Sequence, residues 1–286
     1  MSVPVIEAWS GVDVTIAQIE SELARLRGES SSEVDQPTQR TSVMTHVAWV
    51  PSQWLDAAER VLEGMGERHP SRTVILVPCP GLEGGIDAEL SVRCFPVGER
   101  TVVGEVIELS LRGDRSLAPA SIVLPLAISD LPVFLRWRGE PPFGETQWEQ
   151  LVTVADRVIV DSSEWSSLRY YAIAEDFERT AVSDIAWART DAWRIELANR
   201  WPAIAGQEIA IRGPRAEGQL LRGWLASRLH RTVPEPEPAG ELGVRLDGVE
   251  VPAPHDEPRT ASDLLSAELD RLSRDRIYEA AVASSV

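Results

Sequence analysis

Apolar residues at Ile16, Ile19, Leu23 and Leu26 follow the spacing of one helix face. Thr15 and Gln18 supply a capping box before them, and Gly28 supplies a stop after them. The spacing predicts a helix over 15–27. The polar run ESSSEVDQPTQ at 29–39 reads as a linker. A helix cut off in this way needs a surface for its apolar face, either the chain's own body or a partner. Residues 41–50 (TSVMTHVAWV) are apolar on both alternating faces, the pattern of a strand covered on two sides. Ser52 then caps a helix with a face of Trp54, Ala58, Val61, Leu62 and Met65, ended by Gly64 and Gly66. Arg72–Val77 is a second doubly apolar strand, so this stretch reads as a βαβ unit with a right-handed crossover.

Two alternating segments follow. Ala88–Phe95 puts Leu90, Val92 and Cys94 on one face, and Val102–Leu111 carries Val103, Ile107, Leu109 and Leu111. With a short link containing Gly98, they predict a hairpin. Ala118–Ser129 is an apolar helix, read as buried and kinked or ended at Pro125. Short strands are expected at Val133–Trp137 and Arg157–Val160, with a helix between them capped by Thr146 and Glu149. Beyond these, helices are expected near 163–179, 184–198, 215–230 and 262–282, and strands near 207–212 and 242–246. VPEPEPA at 233–239 is a stiff extended link. The fold class is α/β: a mixed β-sheet body built on a βαβ unit with helices on both faces, plus a second, smaller and more helical α/β portion. The expected division is an N-terminal helix and linker at 1–39, an N-terminal α/β domain at 40–162 and a C-terminal α/β domain at 163–286.

Charge narrows the function. The chain has 286 residues and a formal charge of −17. All of its 28 basic residues are arginine. The acidity is concentrated at 1–39 and 235–279, and the middle is nearly balanced. Phosphate neutralisation needs a basic face, so nucleic acid is not an expected partner. An anionic membrane surface is excluded on the same ground, and no apolar run is long enough to span a bilayer. The N-terminus lacks a basic stretch before an apolar one, so the expected compartment is the cytoplasm.

Candidate chemistry is sparse. The glycine-rich PGLEGGID at 80–87 lacks the GxGxxG spacing and leads into a strand, so a nucleotide fingerprint is absent. The lack of lysine removes the P-loop and Schiff-base chemistry, and no GxSxG elbow is present. The four histidines have no ligand spacing, and the two cysteines cannot build a cysteine-rich zinc site. His46 reads as a hydrogen-bonded core histidine, and His69 as a cap for carbonyls at a helix-to-strand junction. Cys94 reads as buried and Cys79, between two prolines, as an exposed loop residue. No cofactor, metal or catalytic residue is assigned.

The most distinctive stretch is SDLPVFLRWRGEPPFG at 129–144. On a strand, Val133, Leu135 and Trp137 share one face, and Phe134, Arg136 and Arg138 the other. Two arginines on one face are costly if buried and unpaired. They pair with Glu105 or Glu108, or they face a ligand anion or a partner's acids. The proline-rich loop after them is rigid, and rigid loops that present an aromatic lose little entropy on docking. Ten tryptophans are many for this length. Most fall at core-like positions, and any left exposed would mark a docking surface.

HPSRT at 69–73, the block at 129–144, RVIVDS at 157–162, SDIAWARTDAWR at 183–194 and LLSAELDRLSRDRIYEAA at 264–281 together resemble the glucose-6-phosphate dehydrogenase assembly protein OpcA family. The similarity runs from about 40 to 282, and the 130–144 block is its most specific part. The resemblance implies a non-enzyme that binds glucose-6-phosphate dehydrogenase and promotes its active oligomer. It would thereby control oxidative pentose phosphate flux and NADPH supply. Phe134, Arg136, Arg138, Glu140 and Phe143 are the candidate partner or ligand surface. The alternative is a sugar-phosphate sensor in which Arg136 and Arg138 hold the anion.

Overall fold

The computed structural model describes residues 5–33, 42–63, 65, 68–97, 100–255, 257 and 259–285. Gly64, Gly66, Gly98 and residues 34–39 of the expected linker lie outside the described residues, as do the side chains of Cys94 and Val103. The first elements are β1 (Val5–Gly11), α1 (Ile16–Glu33), β2 (Met44–Trp49), α2 (Leu55–Glu63) and β3 (Ser71–Cys79). They are followed by β4 (Gly85–Val97), β5 (Arg100–Arg112), α3 (Ala120–Leu126), β6 (Val133–Trp137), α4 (Thr146–Val154) and β7 (Arg157–Val160). The later elements are α5 (Tyr170–Ala174), β8 (Ala181–Asp184), α6 (Ile185–Ala188), α7 (Asp191–Ala198), β9 (Ile209–Gly213) and α8 (Arg215–Leu229). The last are β10 (Glu237–Pro238), β11 (Gly243–Leu246), β12 (Val249–Glu250), α9 (Ala261–Leu269) and α10 (Arg276–Ala283).

The strands form an eight-stranded mixed sheet in the order β1-β4-β5-β3-β2-β6-β7-β8, and a four-stranded sheet in the order β10-β9-β11-β12. The α/β class expected from the sequence is the one found. Two compact units result: 1–158 with 261–272, and 159–260 with 273–286. The sequence pattern placed boundaries after 39 and 162. The break falls instead after Val158, and α9 joins the first unit. Leu264, Leu265 and Leu269 of α9 are buried, and its Glu268 ion-pairs Arg157 at 3.0 Å.

In the first unit, β2 runs parallel to both β3 and β6, which completes the expected βαβ unit. Every residue of β2 is buried, as its two-sided apolar pattern requires. β4 and β5 are the expected hairpin, antiparallel from Gly85↔Arg112 to Val97↔Arg100. Ile86, Ala88, Leu90 and Val92 are buried along β4, and the intervening Glu89 is exposed. β1, which the sequence reading did not find, pairs antiparallel with β4.

Helix α1 is longer than expected. It passes through Gly28 and continues to Glu33, so residues 29–33 are helical, not linker. Its capping box is present: Thr15 N donates to Gln18 Oε1 at 2.8 Å and Gln18 N to Thr15 Oγ1 at 3.3 Å. Its apolar face rests on the chain's own body. Ile19, Leu23 and Leu26 are fully buried, and Arg27 binds Glu105 of β5 at 2.7 Å. α3 ends one residue past Pro125, with Ala127 extended. It is buried on one face only: Ile122, Val123 and Leu126 are covered, whereas Leu124 is 60% exposed.

The second unit is more broken than its apolar periodicity predicts. The expected helix at 163–179 is a short 3-10 turn, α5 and a second turn. The expected helix at 184–198 is α6 and α7, and 181–184 is strand β8. α8 and α10 pack together in this unit, with Leu220, Leu221, Tyr278 and Ala281 fully buried.

Candidate functional site

In an open α/β sheet, ligands gather at the carboxyl ends of parallel strands, where neighbouring strands lead away in opposite directions. β2 is such a place, since the chain goes from β2 to β3 on one side and returns as β6 on the other. The segments leaving the carboxyl ends of β2 and β6 hold Trp54 and the 138–144 loop. Three of the five sequence candidates, Arg138, Glu140 and Phe143, are half-buried there.

Register determines what fills this point. Trp49 and Trp137 are paired residues of β2 and β6. Their rings stack at 4.8 Å with an interplanar angle of 13°. Trp148 of α4 meets Trp137 edge-on at 5.2 Å, and Phe143 meets Trp148 edge-on at 5.3 Å. Four rings therefore occupy the crevice and give a firm floor. The Arg138 guanidinium lies 4.7 Å from the centre of the Trp54 ring, within cation–π range. Gly139 makes the turn with φ +78°, and a Cβ there would sit 3.4 Å from Trp54 Nε1. Glycine suits both demands.

The other two candidates are interior. Phe134 is 1% and Arg136 5% exposed, and the Arg136 guanidinium donates to the Trp137 carbonyl. Both arginines are thus engaged within the chain. Glu105, one of their expected partners, holds Arg72 and Arg27, each at 2.7 Å.

His46 sits on β2 in register with Thr73 and Phe134. It is buried, as expected of a core histidine. Burial, the Arg136 charge and His69 lower its pKa to about 4, so the ring is neutral. His69 shares a 2.6 Å hydrogen bond with the Ser266 hydroxyl, and a hydrogen bond to the Ser266 backbone also acts on its ring. Burial is the largest influence on it and lowers its pKa. Cys79 ends β3, half-buried, with its thiol 3.8 Å from the Val77 carbonyl.

The second unit holds a charged cluster that the sequence reading missed. Asp161 and Asp184 stand at the carboxyl ends of β7 and β8. Arg189 grips Asp161 through two hydrogen bonds of 3.0 and 2.8 Å and reaches Glu217 at 3.2 Å. Asp184 Oδ1 accepts from Ser162 N at 3.0 Å and Ala186 N at 2.9 Å. The Ser162 hydroxyl lies 3.0 Å from that of Tyr170. Burial first, and then the Asp161 charge, raise the Asp184 pKa to about 7. Burial and Asp184 push the Tyr170 phenol well above its ordinary value. The available signal was an aspartate directly after each short apolar strand, in RVIVDS and AVSDIA. There it caps the next turn.

Among the described residues, no group of three or more histidine, cysteine or carboxylate side chains is arranged to hold a metal. No helix among them is long and apolar enough to cross a membrane. Seven tryptophans are buried, Trp9 and Trp54 are half-buried, and Trp201 is 63% exposed.

Residues 63–174 match the family described as the glucose-6-phosphate dehydrogenase subunit N-terminal domain. The chain is similar to proteins provisionally named OxPP cycle protein OpcA. The identity to that of Nostoc punctiforme is 27% over 189 residues, covering 59% of this chain and 40% of that protein. For Synechocystis sp. it is 27% over 210 residues, covering 62% and 44%. For Synechococcus elongatus it is 28% over 183 residues, covering 57% and 40%. The matches thus span about two-fifths of the length of these curated relatives.

Proposed function

We propose, from the match of residues 63–174 to the family of the glucose-6-phosphate dehydrogenase subunit N-terminal domain and the similarity to OpcA proteins, that the chain is a non-catalytic assembly factor that binds glucose-6-phosphate dehydrogenase and promotes its active oligomer. The match over 63–174 carries the reading, because it contains all five candidate residues, Phe134 to Phe143. The proposed compartment is the cytoplasm, where the chain would raise NADPH supply through the oxidative pentose phosphate pathway.

The physics asked of such a protein is modest. A binder shifts its target toward the active state by as much as its affinities for the two states differ. A net charge of −17 favours encounter with basic regions of a partner. The proposed contact surface is Arg138, Glu140 and Phe143, with Phe143 seated edge-on against Trp148 and Phe134 and Arg136 buried in the strand before it. The exposed Trp201 is a second candidate contact, since tryptophan is enriched at interface hot spots.

Size-exclusion chromatography and calorimetry with the cognate dehydrogenase test the proposal. The expected result is a co-eluting complex, weakened at least about tenfold by Arg138→Glu, Phe143→Ala or Trp201→Ala. No complex at micromolar concentration contradicts the partner. A complex untouched by all three substitutions moves the contact elsewhere.

A further inference from the structure

His46 has a buried polar atom and lines a cavity. The residue is 1% exposed, and its Nε2 has no hydrogen-bond partner among the described residues. A buried donor or acceptor left unpaired pays its full desolvation cost, so native structures rarely keep one without something to bind it. His46 lines a cavity of about 50 Å³, together with Ser71 and Thr73 of β3, Glu108 of β5, Glu59 of α2 and His69. We propose that this cavity is a built hydration site, holding a small cluster of water molecules of which one is hydrogen-bonded to His46 Nε2. The inference does not depend on the proposed partner.

Size decides the class of ligand. One water needs roughly 10–15 Å³ measured in the same way, so a few fit. Pockets for metabolites are on the order of 300–1,000 Å³, which excludes a sugar phosphate. A metal is excluded by the donors, since no cluster of three ligating side chains is present among the described residues. Polarity then favours water over an empty space. A buried water usually makes two to four hydrogen bonds. The Ser71 and Thr73 hydroxyls lie 3.2 Å apart, and either can donate. Thr73 is in register with His46 across β2 and β3, and Glu108 is in register with Ile75, two residues further along β3. The lining therefore offers rotatable hydroxyls, a carboxylate and a ring nitrogen around one small space.

The neutral state of the ring fits this assignment. A neutral imidazole presents one donor and one acceptor nitrogen. Water can satisfy Nε2 in either tautomer, whereas a fixed carbonyl would accept only from the N–H form. Arg136 on the same face opposes protonation of the ring, so a bound anion is not needed to balance charge there.

A high-resolution crystal structure of the wild-type chain tests the proposal without requiring any variant to fold. Electron density for water is expected about 2.7–3.2 Å from His46 Nε2. That water should have its second contact to the Thr73 hydroxyl, the residue in register with His46. In solution, magnetisation transfer from water to the His46 ring and to neighbouring β3 amides should reveal the same molecules. Thr73→Val keeps the volume and removes a hydroxyl, and it should lower the occupancy of that water at least twofold. An empty cavity, a direct protein partner at Nε2, a bound cation, or unchanged occupancy in Thr73→Val would each overturn the proposal.

Discussion

Asp184 and His46 are both cut off from solvent, and burial disfavours the charged form of each. The consequences for stability have opposite sign. Asp184 rises from 3.8 to about 7, so the folded chain holds a proton that the unfolded chain has lost. Its contribution is fully present below about pH 4 and is lost as pH rises through about 7. His46 falls from 6.5 to about 4, so its contribution is present above pH 6.5 and lost as pH falls through about 4. Between these values the two slopes oppose each other. Asp184→Asn keeps an acceptor for Ser162 N and Ala186 N and removes the charge. In urea denaturation it should add on the order of 2–4 kcal/mol at pH 8 relative to pH 4, compared with wild type. Equal changes at the two pH values would show that Asp184 titrates normally. A second prediction concerns Arg157 and Glu268, which are 0% and 2% exposed. Removing one member of a buried pair strands the other charge. Glu268→Ala should therefore cost about 3–5 kcal/mol, measured by the same method.

At the scale of elements, the periodicity of β2, α2, β3, β4 and β5 was legible because each presents a clean apolar face or core strand. The failures have local causes. Thr146 and Glu149 have capping-box spacing, but Glu145 is the extended residue before α4 and Thr146 is already helical. The 163–179 segment reads as helical, yet its serines bond locally. Ser163 Oγ donates to Asp161 at 2.6 Å, an alternative to continuing a helix. Thr190 likewise turns its hydroxyl to the Trp187 carbonyl at 2.7 Å, where α6 gives way to α7. β1 escapes the apolar pattern because Glu7 and Ser10 interrupt VIEAWSG, and its pairing with β4 makes it a strand. For the candidate site, the rigid loop was legible, but the stacking of Trp49 on Trp137 was not, because it depends on the register between distant strands. The aromatic floor gives a prediction at this scale. Trp137→Ala should lower stability by about 3–5 kcal/mol and expose the 138–144 loop to amide exchange. A loop that stays protected would separate it from the floor.

At the scale of the whole molecule, the proposed partner binding rests on charge and on the exposed Trp201. If encounter with a basic partner is steered by the −17 charge, the association rate should fall steeply between low and physiological salt, while dissociation changes little. Stopped-flow measurements at several ionic strengths would show this, and a salt-independent association rate would remove steering from the account. Trp201→Ala should leave thermal stability within about 0.5 kcal/mol of wild type, because the ring is mostly in solvent. The central claim is that the chain acts on another enzyme and turns over nothing itself. Its most direct test is the rate of NADPH formation by the cognate dehydrogenase at limiting glucose 6-phosphate, titrated with the purified chain, beside a control containing the chain alone. The account predicts a saturable rise in the first series and no product in the control. A flat titration, or turnover by the chain alone, would contradict it.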